Sequence, residues 1–129
     1  MAHNPAAAQT LHQNLLATPI SGRTFAVMGV FADKDAATII EVMRSAVNHW
    51  IAADVNGVRA LDPMLLANKI SSAGGAVMHV ADSVWDACEF ARLNVRKGDR
   101  VVVFGSFHTV GPALEWIGAL DERLQPKAY

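Results

Sequence analysis

Short apolar runs alternate along the chain with longer segments in which apolar residues recur every three or four positions. Four of the runs are apolar almost throughout and are bounded by Gly, Asp or Asn, which is typical of buried strands. The predicted strands are Phe25 to Val30, Trp50 to Ala53, Ala76 to Val80 and Val101 to Phe104. Because such strands need cover on both faces, the pattern predicts an α/β fold in which a mostly parallel sheet lies between two layers of helices.

Five segments of helical period flank and separate these strands, so the predicted order begins and ends with a helix. Each segment places its apolar residues on one face, as a helix packed on a sheet requires. In chain order, the predicted buried faces are Ala8, Leu11 and Leu15; Ala36, Ile40, Met43 and Val47; Leu66, Ile70 and Ala73; Val84, Cys88, Ala91 and Val95; and Val110, Leu114, Ile117 and Leu120.

The expected helix ends carry capping residues. Asn4 and Asp62 each precede a proline, which is typical of an N-cap followed by the first helical residue. Asp82 is the predicted cap of the fourth helix. The glycines of Gly74-Gly75 and Lys97-Gly98 are predicted to stop the third and fourth helices.

Length and composition restrict the function classes. The 129 residues have room for one domain, and we expect residues 124–129 to be a frayed tail. A composition that is 52% hydrophobic and 18% charged excludes a disordered chain. A formal net charge of -1 argues against a nucleic acid as partner. No apolar run approaches the roughly 20 residues of a membrane span, so no membrane partner is expected.

Several familiar kinds of site are missing from the sequence. The single cysteine, Cys88, excludes a disulfide framework; we expect a buried, unreactive thiol and a reducing, cytoplasmic compartment. The five histidines lack the spacing of paired metal ligands, so no metal site is predicted. The chain also lacks a Walker-type phosphate loop, a GxGxxG dinucleotide motif and a GxSxG nucleophile elbow.

Polar residues cluster where the predicted strands end. In a parallel sheet, ligands collect beyond the carboxyl ends of the strands. Asp33, Lys34 and Asp35 follow the first strand, and Ser106 and His108 follow the fourth. The first helix runs antiparallel to the first strand, so we expect its amino end, with His3 and Asn4, at the same edge.

The most specific of these positions is Ser106. The fourth strand breaks at Gly105, and a helix begins directly afterwards. Free backbone N–H groups and the helix dipole favour an anion there, such as a carboxylate or a phosphate, and Ser106 can add a hydroxyl donor. The alternative is that Ser106 only caps its own helix.

The triplet Asp33-Lys34-Asp35 also admits two interpretations. One of the carboxylates can be a simple N-cap, with Lys34 solvated. Alternatively, the two carboxylates steady Lys34 while it faces an anionic ligand.

Four segments together resemble one ligase family. Ala2-His3-Asn4-Pro5-Ala6 is similar to the second half of the D-x-A-H-N-P motif of the folylpolyglutamate and dihydrofolate synthases, members of the Mur ligase superfamily. The other three segments are similar to that family's D-K-D triplet, to a stretch typical of its bacterial members and to its G-S-F-H-T-V segment: Asp33 to Asp35, Asp82 to Ala87, and Gly105 to Val110. The resemblance covers about residues 2 to 122 and concerns the C-terminal domain, which implies a Rossmann-like three-layer α/β/α sandwich.

This resemblance implies that residues 1–129 are the glutamate-ligase domain of a larger, two-domain ligase. In that family ATP phosphorylates a carboxylate of dihydropteroate or of a folate glutamate tail, and the amino group of L-glutamate attacks the acyl phosphate. An N-terminal ATPase domain is the implied partner and holds ATP, Mg²⁺ and the folate. The C-terminal domain presents glutamate and closes over the nucleotide. We therefore expect it to bind no cofactor and to be inactive alone.

The resemblance also assigns residues to the glutamate site. It implies that His3 and Ser106 hold the carboxylates of glutamate, whereas Lys34 and His108 line the same cleft. It implies no catalytic residue and no metal ligand in this chain. The supporting residues are Asn4, Asp33 and Asp35.

Two alternatives belong to other functional classes. In a receiver-like regulatory module, Asp33 and Asp54 at strand ends would form a phosphoacceptor cluster, but such a module needs a lysine where this chain has Gly105-Ser106. A purely structural lid would bind no ligand of its own.

Overall fold

The computed structural model describes residues 4–118, and its helices and strands alternate as predicted. The strands lie within two residues of the predicted limits. The elements are α1 (Pro5–Ala17), β1 (Thr24–Met28), α2 (Ala36–Met43, followed by a 3₁₀ turn at Arg44–Ala46), β2 (His49–Ala53), α3 (Pro63–Ser72), β3 (Val77–Ala81), α4 (Val84–Asn94), β4 (Arg100–Phe104) and α5 (Phe107–Gly118).

The four strands form one parallel sheet in the order β3-β2-β1-β4. Val27 in β1 pairs with Ile51 on one side and with Val103 on the other. The predicted parallel sheet is therefore confirmed. Its order corresponds to the 3-2-1-4 portion of a doubly wound Rossmann sheet.

Helices cover both faces of the sheet, which confirms the three-layer prediction. Alternate strand residues, such as Ala26 and Met28, face α1, α2 and α3 in one hydrophobic cluster. Val27, between them, belongs to a second cluster with α4 and α5. The first cluster contains an edge-to-face pair of Trp50 and Phe104, whose ring centroids lie 5.9 Å apart.

Capping side chains begin the first four helices. Asn4 and Asp62 accept hydrogen bonds from the backbone N–H groups of Ala7 (2.8 Å) and Met64 (2.7 Å), as predicted. The prediction of Asp82 as the cap of α4 is wrong. Ser83, directly before the helix, has extended backbone angles and accepts from the N–H of Asp86 at 3.0 Å.

Within the first four helices the predicted buried faces are confirmed, but Val47, Ala73 and Val95 lie beyond the helix ends and are only half-buried. The face predicted for α5 is only partly correct. Leu114 is 54% exposed, and among the side chains described in α5 the buried ones are those of Thr109, Ala113 and Ile117. These residues are spaced four positions apart. Ala113 thus takes the buried position that was predicted for Leu114. Leu120 and the predicted frayed tail lie outside the described residues.

Only one of the two predicted glycine stops lies at the end of a helix. Gly74 has a φ of +89° and follows the C-cap of α3, as a stop requires. Gly98 also has a positive φ, +94°, but α4 already ends at Asn94. Gly98 therefore lies in the turn between Arg96 and Asp99 rather than at the end of a helix.

Cys88 lies on the inner side of α4 with 1% of its surface exposed. Burial, and to a lesser degree the neighbouring Glu89 carboxylate, raise its pKa to about 12. The thiol is therefore protonated at neutral pH, in agreement with the expected unreactive cysteine. Across residues 4–118, none of the helices combines the length and apolar character that crossing a membrane requires.

Candidate functional site

The carboxyl edge of the sheet between β1 and β4 is a topological switch point. From β1 the chain continues through α2 on one face of the sheet, whereas β4 is followed by α5 on the other face. The two connections therefore diverge at these neighbouring strand ends. Ligands of doubly wound sheets bind in this position.

Two glycines allow the chain to leave both strands in close contact. Gly29 follows β1 and Gly105 follows β4, and the backbone N–H of Gly29 donates to the carbonyl oxygen of Phe104 at 3.4 Å. A Cβ at Gly105 would overlap the carbonyl oxygen of Gly29, and its φ of +125° is one that other residues rarely adopt. Glycine is therefore required for β4 to turn into α5 at this point.

Ser106 begins the next segment and is almost fully enclosed, with 4% of its surface exposed. Its carbonyl oxygen accepts from the backbone N–H groups of Thr109 (3.0 Å) and Val110 (3.1 Å) in the first turn of α5. Its hydroxyl lies 3.1 Å from the hydroxyl of Thr109. The Thr109 hydroxyl in turn donates to the carbonyl oxygen of Gly29 at 2.6 Å. A chain of two buried hydroxyls thus joins the start of α5 to the end of β1.

Backbone hydrogen bonds join the segment after β1 to the segment after β2. The N–H of Ala32 donates to the carbonyl of Arg59 at 2.7 Å, and the N–H of Leu61 donates to the carbonyl of Val30 at 2.9 Å. The Arg59 guanidinium also lies 5.9 Å from the centre of the Phe31 ring. These contacts fix the backbone directly before the charged triplet Asp33-Lys34-Asp35.

Within the triplet, Asp35 has a structural task. Its carboxylate accepts from the backbone N–H of Thr38 at 3.2 Å and from the Thr38 hydroxyl at 2.8 Å, and so caps α2. Asp33 and Lys34 are exposed. Neither Asp33 nor Asp35 forms an ion pair with Lys34 in the described part of the chain. Lys34 is therefore a solvated cation on the rim of the edge, close in sequence to the switch point.

The amino end of α1 reaches this same edge. Arg100, at the start of β4, donates to the carbonyls of Leu15 (3.1 Å) and Thr18 (2.7 Å) and to the hydroxyl of Thr24 (2.8 Å). These bonds hold the carboxyl end of α1 at the amino edge of the sheet. A helix of 13 residues rises about 20 Å, more than a five-residue strand spans, so Asn4 lies at the carboxyl edge.

The structure brings Ser106, the triplet 33–35 and Asn4 to one edge of the sheet. His3 lies outside the described residues, and the side chain of His108 is outside the described part as well. Asp54, at the end of β2, accepts from the N–H of Asn56 at 2.8 Å and so shapes its own loop. Across the described residues, no group of three or more His, Cys, Asp or Glu side chains is placed to hold a metal ion.

Thr109 and Gly29 also lie at this edge but were not among the predicted site residues. Thr109 is fully buried although it is polar. The sequence did place a hydroxyl three residues after Ser106, but the predicted buried face of that helix was Val110, Leu114, Ile117 and Leu120. Gly29 stood inside a predicted strand, where a glycine often marks a close approach of backbone or ligand.

Comparison with known proteins agrees with this architecture. Residues 1–107 match the family model described as Mur ligase, glutamate ligase domain. The chain is 37% identical over 119 residues to the dihydrofolate synthase/folylpolyglutamate synthase of Escherichia coli K12, which covers 92% of the chain and 27% of the relative. It is 36% identical over 111 residues to the Haemophilus influenzae protein of the same name, covering 84% of the chain and 25% of the relative.

Solved structures give the same result. The Escherichia coli protein FolC in complex with DHPP and ADP superimposes with a TM-score of 0.82 and 35% identity, over 91% of this chain and 27% of that one. A bifunctional folylpolyglutamate synthase/dihydrofolate synthase with Mn, AMPPNP and L-glutamate bound gives a TM-score of 0.73 and 33% identity, over 88% and 26%. The chain thus spans about a quarter of the length of the relatives that it matches.

Proposed function

Because the chain belongs to the Mur ligase family of glutamate ligase domains, we propose that it is the glutamate-presenting domain of an ATP-dependent acid–amino-acid ligase. The observation that carries this proposal is the superposition, with 33% identity, on a folylpolyglutamate synthase/dihydrofolate synthase that has L-glutamate bound. The switch-point edge between β1 and β4 is the place we assign to that glutamate.

The proposed reaction joins L-glutamate to dihydropteroate, to folate polyglutamates, or to both. ATP would supply the activation by phosphorylating the acceptor carboxylate. The amino group of glutamate then attacks the acyl carbon, forms the amide bond and releases phosphate. The task of this chain is to hold glutamate so that its amino group faces the activated acyl group, and to close over the nucleotide.

The residues of the edge suit a dicarboxylic amino acid. Lys34 is an exposed cation near the switch point, and α5 has its amino-terminal, positive end at the same edge. His3, Ser106 and His108 complete the proposed set of glutamate contacts. Asn4 and Asp35 support the set by starting α1 and α2 at this edge, and Asp33 lies beside Lys34.

ATP and Mg²⁺ fit the described residues poorly. The sequence has no Walker-type loop, and residues 4–118 place no cluster of three metal-ligating side chains. We therefore assign nucleotide and metal to an N-terminal ATPase domain, within the three quarters of the relatives' length that this chain does not match. That domain is the proposed partner, and the proposed compartment is the cytoplasm, where the single buried thiol of Cys88 needs no oxidising surroundings.

The two alternatives have less support. Receiver-like modules follow the flavodoxin-like strand order 2-1-3-4-5, whereas this sheet has β1 between β2 and β4. A structural lid shares the fold but would leave the edge without a ligand. Titration with L-glutamate distinguishes the two hypotheses, because a glutamate-presenting domain binds it and a structural lid does not.

The experiment that tests the proposal compares this chain alone with a chimera. In the chimera, the chain replaces the 119-residue segment that it matches in the Escherichia coli relative. Both are assayed for ATP-dependent joining of L-glutamate to dihydropteroate. We expect turnover by the chimera and none by the chain alone. Turnover by the chain alone, or a folded chimera that binds ATP but joins no glutamate, would contradict the proposal.

A further inference from the structure

A small cavity lies at the amino edge of the sheet, the edge opposite to the switch point. Its volume is about 280 Å³. Part of its wall is Phe25, which lies two residues before Val27 in β1 and therefore on the sheet face that α4 and α5 cover. The other lining residues precede β1, lie in β3 or belong to the segment from the end of α4 to β4: Arg23, Met78, Asn94, Arg96 and Asp99.

Asp99 joins the two chain segments that carry the arginines of this cavity. Its carboxylate accepts from the backbone N–H groups of Arg23 at 2.8 Å and of Arg96 at 2.9 Å. These bonds, the one from Arg23 first, hold the pKa of Asp99 below its ordinary value, so the carboxylate is charged at neutral pH. Two guanidiniums against one carboxylate still give the lining a net positive charge.

The guanidinium of Arg23 is oriented by a histidine. Its Nη1 lies 3.1 Å from Nε2 of His49, and because a guanidinium can only donate, the histidine nitrogen is the acceptor. The ring of His49 in turn packs on Phe25, with the ring centroids 5.0 Å apart. An arginine carries five N–H donors, so most of those of Arg23 have no protein partner within residues 4–118.

Other arginines at the amino edge are used differently. The guanidiniums of Arg44 and Arg100 donate to carbonyl groups at the carboxyl ends of α3 and α1, where cations are favoured. Among the described residues, neither Arg23 nor Arg96 donates to a carbonyl group through its guanidinium, and neither forms an ion pair. The helix ends thus explain Arg44 and Arg100 but not the two arginines that line the cavity.

We propose that this cavity binds a small phosphate-type oxyanion, inorganic phosphate or a small phosphomonoester, between the guanidiniums of Arg23 and Arg96. The planar fork of donors on a guanidinium matches two oxygens of a phosphate. Typical small-molecule sites begin at about 300 Å³, so a cavity of about 280 Å³ suits a small anion rather than a nucleotide. The bound anion would tie the segment between α4 and β4 to the start of β1. The site lies at the edge opposite to the proposed glutamate position and does not depend on the proposed function.

The site is tested by NMR titration of the chain with phosphate at constant ionic strength. We expect the resonances of Arg23, His49 and Arg96 to shift and to saturate below about 10 mM phosphate, while those of Gly105 and Ser106 stay in place. Glycerol 3-phosphate, titrated in parallel, distinguishes the two sources: tighter binding than phosphate indicates a phosphomonoester, and weaker binding indicates the free ion. Acetate should bind at least about tenfold more weakly than either; equal binding of acetate would overturn the assignment to phosphate.

Arg23→Gln and Arg96→Gln each remove one guanidinium from the cavity. Both arginines are exposed, so both variants should fold, which circular dichroism verifies. Each substitution should weaken phosphate binding at least about tenfold, the worth of one hydrogen bond to a charged group. Arg92→Gln is the matched control, because the guanidinium of Arg92 pairs with Glu89 on the exposed side of α4. It should bind phosphate within about twofold of the unmodified chain.

Two results would overturn the site. Shifts that grow with phosphate concentration without saturating, or that are as large at the exposed cations Arg59 and Lys69 as at the cavity, would show an adventitious ion only. Equal phosphate affinity of the unmodified chain and of a double variant that lacks the guanidiniums of Arg23 and Arg96 would show that they do not hold the anion. Neither result bears on the binding of L-glutamate at the switch point.

Discussion

Gly105 determines how closely β1 and β4 approach at the switch point. An added Cβ would overlap the carbonyl oxygen of Gly29 and would force an L side chain into a φ of +125°. We predict that Gly105→Ala lowers the free energy of unfolding by about 3 kcal/mol, the combined effect of a steric overlap and a strained backbone. Urea denaturation followed by circular dichroism measures the change.

Gly57→Ala is the matched control for that substitution. A Cβ at Gly57 would lie 3.4 Å from a Phe31 ring carbon, an ordinary contact, and Gly57 is exposed. Its free energy of unfolding should change by less than about 1 kcal/mol. Equal effects of the two substitutions would show that the close approach at Gly105 does not constrain the fold.

Cys88 makes stability depend on pH in the alkaline range. Burial raises the pKa of its thiol from the ordinary 9.0 to about 12, so the folded chain keeps a proton that the unfolded chain releases. Stability from this group is complete below pH 9 and is lost as the pH rises towards 12. At pH 10 we predict a loss of about 1 kcal/mol relative to pH 7.

Cys88→Ala removes this contribution, because alanine does not titrate. Other groups ionise in the same range, so the measured quantity is the difference between the two chains in urea unfolding at pH 7 and at pH 10. The unmodified chain should lose more stability than the variant. Parallel losses would show that the Cys88 thiol ionises as readily in the folded chain as in the unfolded one.

At the scale of elements, one arginine fixes the position of α1. Arg100 donates to Leu15, Thr18 and Thr24, which lie on α1, beyond its end and on β1. Lysine keeps the charge but cannot reproduce the planar fork of donors. We predict that Arg100→Lys costs about 1–3 kcal/mol in free energy of unfolding and increases amide hydrogen exchange in the last turn of α1.

Arg92→Lys is the control for the loss of a guanidinium. Arg92 pairs with Glu89 on the exposed side of α4 at 2.9 Å. Surface pairs of this kind contribute little, so the variant and the unmodified chain should unfold at nearly the same urea concentration. If Arg100→Lys were equally silent, Arg100 would not be what holds α1 against the sheet.

The elements themselves follow from sequence pattern to a large extent. Strands such as Val101 to Phe104 are apolar throughout, and only burial on both faces explains such a run. The order of the strands was not predictable, because each connection is compatible with more than one neighbour in the sheet. Leu114 was predicted to be buried because apolar residues spaced three or four apart fit two adjacent faces of α5. Packing on the sheet selects the face that carries Thr109.

The sequence predicts where the candidate site lies, but it does not predict the contacts within that site. Polar residues after each strand had to meet at the carboxyl edge once the sheet was parallel. That Asp35 is used as a cap, and that Ser106 bonds to Thr109, depends on side-chain rotamers that sequence does not specify. The cap of α4 shows the same limit, since Asp82 and Ser83 are adjacent and chemically equivalent candidates.

At the scale of the whole molecule, the edge at the switch point is where the parts combine. Two glycines bring β1 and β4 together, two buried hydroxyls tie α5 to β1, and Arg100 holds α1 so that Asn4 reaches the same edge. The chain matches about a quarter of its relatives' length. An edge rich in helix amino ends is consistent with the proposed binding of an anionic amino acid.

The most direct test of the glutamate-presenting role is a steady-state comparison of Ser106→Ala with Ser71→Ala in the Escherichia coli chimera. Ser71 is exposed near the carboxyl end of α3, away from the proposed site. We predict that Ser106→Ala raises the KM for L-glutamate at least about tenfold. The KM for ATP should stay within about twofold, and Ser71→Ala should change neither value. An unchanged glutamate KM in Ser106→Ala, or an equal rise in both KM values, would contradict the account.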